Sequence, residues 1–521
     1  MILNKQFKNP ITNTLLITVG AISSKILGFI REVVIAAFFG ASYFVDAYLI
    51  ASIIPRLLFG VISEAITTTI IPLITEYKIK LGQKSVVELI NSITTIMVLL
   101  LSLIIILGEL FANYLVHFVA PGFEGETLDI TIKMTRVMLP MIIFLGLSGL
   151  VAGILQSQKM FLFPSFVGIP SNLAIIIFLF LLENTYGIMA LAIGTVMGTF
   201  ASWIFLNFDI RKMNYKFKPQ VIFSHPGLKK MGLLIIPVII GKGAADINLL
   251  VDRMLASGLM EGSIAALNYS TRIYLLFNTI LALSLAKALL PEFSQLAAIK
   301  DMNGYINSLK KSLIGLSIIV LPFSVGLIIL REPVIRLVYE RGVFDVSATA
   351  LTAFALLFYT LGLPALSLRQ VVLRAYYALQ DTKTPMIIGI LTVLINIVLN
   401  LILIKYLAHG GLALATSIAT TTGFLLLIWF LRKKIGSIGG MSMIISGAKM
   451  MVASLIMGLV VYYLQIYIGG LSVLSGSIRD IVILFSCGSL GAVLYFIIIK
   501  FLRIEEFDWV LGKVAGRFAK H

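Results

Sequence analysis

Three charges share one apolar stretch: Lys25, Arg31 and Glu32 within KILGFIREVVIAAFF, residues 25–39. Asp46, Arg56 and Glu64 follow in or beside the next apolar stretch, and Lys242, Asp246, Asp252, Arg253, Arg272 and Lys287 form a second group later in the chain. An ionised side chain at the centre of a bilayer costs about 2.5–3.5 kcal/mol on insertion scales, so such residues face a bundle interior or a water-filled cavity. Guanidinium forks match phosphate and carboxylate oxygens. With Glu32 and Asp46 taken up in orienting them, and Glu64 a third supporting acid, the cations Lys25, Arg31, Arg56 and Arg272 leave a net positive cavity. Such a cavity is suited to an anion, and a diphosphate would engage several cations at once. Interfacial snorkelling or internal ion pairing is the competing explanation. It is preferred for Lys242, Arg253 and Lys287, whereas anion recognition is preferred for Arg31 and Arg272.

A second constellation is neutral. Asn396 and Asn400 stand four apart on one face of an otherwise apolar helix. With Asp252 and Thr416 they could offer oxygen ligands to a cation such as Na⁺; a hydrogen bond between amides explains them equally well. Enzymatic chemistry finds less support. The four histidines, His117, His225, His409 and His521, are scattered without metal-ligand spacing, and Cys487 is the single cysteine. There is no glycine-rich phosphate loop, so no catalytic residues, bound metal or other cofactor are expected. The membrane potential could also drive net cavity charge, at about 2.3 kcal/mol per charge per 100 mV.

The elements that must position these residues are membrane helices. Of 521 residues 59% are hydrophobic and 12% charged, with mean hydropathy +1.04, whereas soluble domains carry roughly 25% charge. About fourteen apolar stretches are long enough to cross about 30 Å of hydrocarbon: 19–37, 48–73, 90–110, 137–155, 163–182, 188–206, 233–255, 265–290, 313–330, 351–373, 386–403, 412–431, 450–468 and 481–499. The chain is read as an all-α, multi-pass integral membrane protein. Lys and Arg collect in alternate loops, at Lys5 and Lys8, at Lys78, Lys80 and Lys84, through 211–230, at Lys300, Lys310 and Lys311, and at Arg432, Lys433 and Lys434. The positive-inside rule then places both termini in the cytoplasm. The formal charge of +17 is explained by topology, and its dispersal over short loops argues against a nucleic-acid partner.

The chain also repeats. LQSQK at 155–159 returns as LQDTK at 379–383, pairing Gln156 with Gln380 and Lys159 with Lys383. Ala190, Leu191 and Ala192 return as Ala413, Leu414 and Ala415, and Pro72 has a looser counterpart in Pro291. Six spans separate equivalent points, giving two parallel six-helix lobes, 1–218 and 219–435, followed by two further helices and a basic tail in 436–521. Parallel repeats build transporters that bind substrate between halves and rock around it.

SSKILGFIREVVIAAFFGASYFVDAYLIASIIPRLL (23–58), then Glu64 and Pro72, and LRAYYALQDTKTP (373–385) resemble the lipid II flippases of the MurJ/MviN family, in the multidrug/oligosaccharidyl-lipid/polysaccharide exporter superfamily. The resemblance covers nearly the whole chain. It implies a bacterial inner-membrane protein, acting as a monomer, which flips a polyprenyl diphosphate-linked saccharide to the outer leaflet by alternating access. It also implicates Lys25, Arg31 and Arg272 in holding the diphosphate, marks Asp46 as a functional acid, and assigns the last two helices to a groove for the polyprenyl tail. Two departures stand out: Lys25 replaces a usual arginine, and the arginine expected near Phe59 or Gly60 is absent, with Arg56 about one turn earlier as its stand-in. The alternatives are a flippase for another polyprenyl-linked oligosaccharide and a cation-coupled drug antiporter, which would need an acid-dominated cavity.

Overall fold

The computed structural model describes residues 10–210, 217–471 and 476–503; the side chains of 10–15, 61, 64, 237–245, 283–285 and 287 are outside the description. The loop and tail cations Lys5, Lys8, Arg211, Lys212, Lys216, Lys513, Arg517 and Lys520 therefore lie outside the described residues, as do the side chains of Glu64, Lys242 and Lys287. Every regular element among the described residues is helical, and the chain divides into two compact units, Met1–Ala265 and Ala266–His521. Among the described residues seven helices are long and apolar enough to cross a membrane, or up to nine if each of two bent pairs counts as one span. The charge-bearing helices Pro10–Phe39, Pro226–Ala256 and Ser263–Asn278 are not among the seven.

The first unit opens with α1 (Pro10–Phe39) and α2 (Tyr43–Leu110), then α3 (Ala112–Val119), α4 (Gly125–Met138), α5 (Met141–Ser157), α6 (Leu162–Phe166), α7 (Gly168–Tyr186), α8 (Met189–Ile210) and α9 (Pro226–Ala256). α2 has 68 residues. At about 1.5 Å per residue an unbroken helix of that length would exceed three bilayer cores. It is two helices broken at Gly82, whose φ of 81° favours a residue without Cβ. Packing of α5 on α2 depends on small residues. A Cβ at Gly146, Gly149 or Gly153 would meet Leu101 at 2.7 Å, Ser63 Oγ at 2.5 Å or Ile70 at 2.3 Å. The close approach lets Ser63 and Thr67 donate to the carbonyls of Leu145 and Gly149, as expected where lipid offers no hydrophobic drive between helices.

Residues leading into α9 are laid on α2 in extended form. The amides of Lys218, Gln220 and Ile222, alternate residues, donate to Asn91 Oδ1, Thr95 Oγ1 and Ser92 Oγ at 3.3, 3.2 and 3.1 Å. His225 then bonds Ser85 Oγ through Nε2 at 2.9 Å and accepts from Gly227 N at Nδ1. These ties explain why α9 belongs to the first compact unit.

The second unit holds most of α10 (Ser263–Asn278), a π-helical turn at Thr279–Leu283, α11 (Ser284–Ala298), α12 (Met302–Ile329), α13 (Arg331–Tyr339), α14 (Val346–Leu361), α15 (Leu363–Ala378), α16 (Lys383–Ile435), α17 (Gly440–Gly469) and α18 (Gly476–Phe501). α16 is again two helices, broken at Ala408. Ile314, Ile318, Met450, Met457, Val461, Ile483 and Cys487 form a shared core joining α12 to the last helix pair.

Internal geometry repeats between the units. The pair α4 and α5 bends by 42°, and α14 and α15 by 43°. Left-handed residues recur at Lys159 (φ 62°) and Gln380 (φ 57°), and at Gly187 (φ 53°, ψ −133°) and Ala408 (φ 47°, ψ −128°). Met160 N bonds Leu155 O just as Asp381 N bonds Tyr376 O. Backbone geometry therefore pairs Lys159 with Gln380, three residues away from the sequence pairing of Lys159 with Lys383, and Ala190, Leu191 and Ala192 with Gly411, Leu412 and Ala413. Identical letters had suggested a register that the turns do not follow.

Candidate functional site

α1 lies against α7 through small residues one turn apart, Gly20, Ser24 and Gly28. A Cβ on Gly20 would fall 2.8 Å from Phe166, Ser24 packs on Gly168, and Asn172 Nδ2 donates to Ser24 O and Gly168 O. The charged residues sit beyond this seam. Arg31 Nη2 donates to Glu32 Oε1 at 2.6 Å; the Glu32 side chain is 5% exposed and that of Arg31 21%. Glu32 thus orients the half-buried Arg31 guanidinium. Arg31 Nε is buried without a hydrogen-bond partner among the described residues. Lys25 and Arg56 are exposed side chains of the same unit, and Arg272 is an exposed side chain of α10 in the second unit.

Asp46 is placed differently from Glu32. It is 3% exposed, and its two oxygens accept from backbone amides, Oδ2 from Gly262 N and Oδ1 from Ala265 N, both at 2.7 Å. These amides open α10, where the helix leaves N–H groups without intrahelical partners and carries the positive end of its dipole. Gly262 has φ 81°, and a Cβ there would stand 2.2 Å from Ala41 O. The turn can seat so closely only because it is glycine. Nearby, Arg253 Nη1 donates to Ile264 O at 3.3 Å and Gly122 N to Ser257 Oγ at 3.0 Å. Asp46 is thus a helix cap that fixes the turn 257–265 against the turn 40–46.

The amide constellation is partly assembled. Asn396 Nδ2 donates to Thr416 Oγ1 at 3.3 Å, Asn400 Nδ2 to Asn396 Oδ1 at 3.1 Å, and Thr416 Oγ1 to Leu412 O. Asn396 and Asn400 are buried. Asp252 belongs to the first unit, where Asn248 Nδ2 approaches it at 3.5 Å. The three neutral residues form a ladder between the two halves of α16. Their oxygens are chemically suited to a hard cation, and Asn396 Oδ1, which accepts from Asn400, keeps a second lone pair for one. No group of His, Cys, Asp and Glu able to hold a metal ion occurs among the described residues.

Two arginines escaped the sequence reading. Arg369 and Arg374, on α15, both have a buried Nε without a hydrogen-bond partner among the described residues, and the Arg374 guanidinium lies 5.8 Å from the Tyr377 ring. Their signal was available, since both stand in or beside the apolar run 351–373. The second unit also contains an almost wholly apolar groove of about 360 Å³ between α12, α17 and α18, lined by Phe277, Phe323, Gly326, Met457, Gly488 and Tyr495 among others. At the α15–α16 turn, Asp381 bonds Lys434 Nζ at 2.8 Å as well as Thr384 N and Oγ1.

The repeated bent helix pairs and the added helix pair give the chain the fold of the multidrug/oligosaccharidyl-lipid/polysaccharide exporters. An inward-facing multidrug resistance MATE transporter of that superfamily superposes with a TM-score of 0.65 at 14% identity, over 80% of this chain and 96% of its own. The family profile described as "Lipid II flippase MurJ" matches residues 35–478, and the chain belongs to that family. A probable lipid II flippase MurJ of Buchnera aphidicola subsp. Schizaphis graminum is 32% identical over 507 residues, 95% of this chain and 97% of that one. The lipid II flippase MurJ of Burkholderia cenocepacia is 27% identical, covering 79% and 81%. A solved structure of a lipid II flippase MurJ in an inward closed conformation has a TM-score of 0.78 at 29% identity, covering 94% and 99%. As a family member the protein is a transporter rather than an enzyme, and a multi-pass inner-membrane protein.

Proposed function

We propose that this chain carries lipid II, an undecaprenyl diphosphate disaccharide-peptide, from the cytoplasmic to the outer leaflet by alternating access. The observation that carries the reading is the family match along residues 35–478, which takes in Asp46, Arg56 and Arg272, with the 32% identity over 95% of the chain to a probable lipid II flippase beside it. Supporting it, Arg31 is held on α1 by Glu32 while its Nε has no hydrogen-bond partner among the described residues. Lys25, Arg31, Arg56 and Arg272 bind the diphosphate, and the apolar groove takes part of the tail. Both termini face the cytoplasm. Rocking of one half against the other exposes the headgroup outside, with Asp46 holding the turn 257–265 in one of the two states. Coupling comes from the membrane potential or from Na⁺ held by Asn396, Asn400, Thr416 and Asp252.

Complementation of a flippase-depleted strain tests the reading. Arg31→Ala and Arg272→Ala should each fail to support growth at normal expression, with Arg31→Lys milder. Normal growth of either alanine variant would remove the cation clamp. Native mass spectrometry comparing lipid II with other polyprenyl diphosphate sugars then fixes the headgroup.

A further inference from the structure

α13 is a nine-residue surface helix that buries Pro333, Ile335 and Tyr339 and carries Arg336 on another face. Arg336 Nη1 lies 3.0 Å from Asp480 Oδ1, and Asp480, in the first turns of α18, is fully buried at 0% exposure. Arg336 Nε also lies 3.5 Å from Glu340 Oε2, which accepts from Thr349 Oγ1 at 2.6 Å. One polar chain thus ties α14, α13 and α18 together. The second oxygen of Asp480 is buried without a hydrogen-bond partner among the described residues, so the carboxylate depends on Arg336. Removing one partner of such a pair strands a buried charge.

The same helices build one end of the apolar groove. Its lining runs along α12 from Ile318 to Leu327 and on to Leu330 and Val334, and along α18 from Leu484 to Phe496. Leu330, Val334 and Leu484 share one end, because Leu484 lies one turn beyond Asp480 and Val334 lies beside Arg336 on α13. At about 1.5 Å per residue the groove extends roughly 18 Å along α18 from there. We propose that the Arg336–Asp480 ion pair latches α13 across this end of the groove and so limits the length of polyprenyl chain it accepts. The inference rests on the reading of the groove as the tail site. Arg336 and Asp480 are positioning residues, since neither lines the groove.

Binding of polyprenyl diphosphates with one headgroup and increasing chains, from farnesyl through geranylgeranyl and heptaprenyl to undecaprenyl, to the purified full chain tests it. Wild-type affinity should rise with length and level off once the groove is filled. In Arg336→Gln and Asp480→Asn the levelling-off should move to longer chains, with at least a threefold gain of heptaprenyl over geranylgeranyl that the wild type lacks. The charge swap R336D/D480R should restore the wild-type profile, which also separates a latch from damaged folding. A Cβ at Gly488 would meet nothing within 4 Å, so Gly488→Phe fills the groove and should flatten the profile. If Gly488→Phe flattens the profile while all latch variants match the wild type, the latch is overturned and the tail reading stands. If the wild type is indifferent to chain length and Gly488→Phe changes nothing, both fall.

Discussion

Replacing Asp46 by alanine removes two charge-assisted hydrogen bonds at once, to Gly262 N and Ala265 N at 2.7 Å each. Bonds to charged groups contribute about 1.5–3 kcal/mol apiece, and neighbouring effects are not additive. A local loss of about 3 kcal/mol is therefore expected. At about 1.4 kcal/mol per decade this corresponds to roughly 100-fold in the opening equilibrium of the turn. Asp46 is buried, so water does not readily replace the carboxylate. Hydrogen exchange followed by mass spectrometry should show the amides at 262 and 265 losing about two decades of protection, while those pinning 218–222 to α2 keep theirs. Asp46→Asn should fall between, since one oxygen remains and the new amide opposes an N–H donor. Unchanged protection at 262 and 265 in Asp46→Ala would refute the capping role.

Three further outcomes follow from the geometry. Burial works to raise the Asp381 carboxyl, but bonds from Lys434 and from Thr384 outweigh it and hold the group down at about 2. An unfolded aspartate titrates near 3.9, so the stabilisation is complete above about pH 4 and is lost as pH falls through about 2; thermal melts of wild type and Lys434→Met should differ at pH 7 and converge toward pH 2. Ala408 sits at φ 47°, ψ −128° where its counterpart Gly187 pays no Cβ penalty; Ala408→Gly should stabilise by about 1 kcal/mol and Gly187→Ala should destabilise, read from melting in detergent. Asn400→Ala should abolish any Na⁺ dependence of transport while leaving lipid II binding intact, whereas Na⁺ dependence that survives would assign coupling to the membrane potential or elsewhere.

The membrane-helical fold was legible because apolar length and charge depletion speak directly in composition. The bent pairs at 42° and 43° were legible only as repeated spans. The repeat register was misread because Gln156 and Gln380 share a letter, whereas the turn is defined by a left-handed residue that is lysine in one copy and glutamine in the other. Glu32 beside Arg31 could be foreseen from adjacency. The partner of Asp46 could not, since a backbone amide has no letter of its own. For the same reason the docking of 218–222 on Asn91, Ser92 and Thr95, which carries α9 into the first compact unit, had no visible signal in the sequence. Arg369 and Arg374 are legible as charges in and beside the apolar run 351–373, but their buried Nε atoms are not.

The central claim is that membrane-embedded cations hold a diphosphate headgroup during its passage between leaflets. Purified protein in sealed proteoliposomes containing fluorescent lipid II, with the outer pool quenched over time, measures that passage directly. The wild type should move lipid II and Arg31→Ala should reduce the rate at least tenfold, with Arg31→Lys in between. Equal rates for wild type and Arg31→Ala would contradict the account.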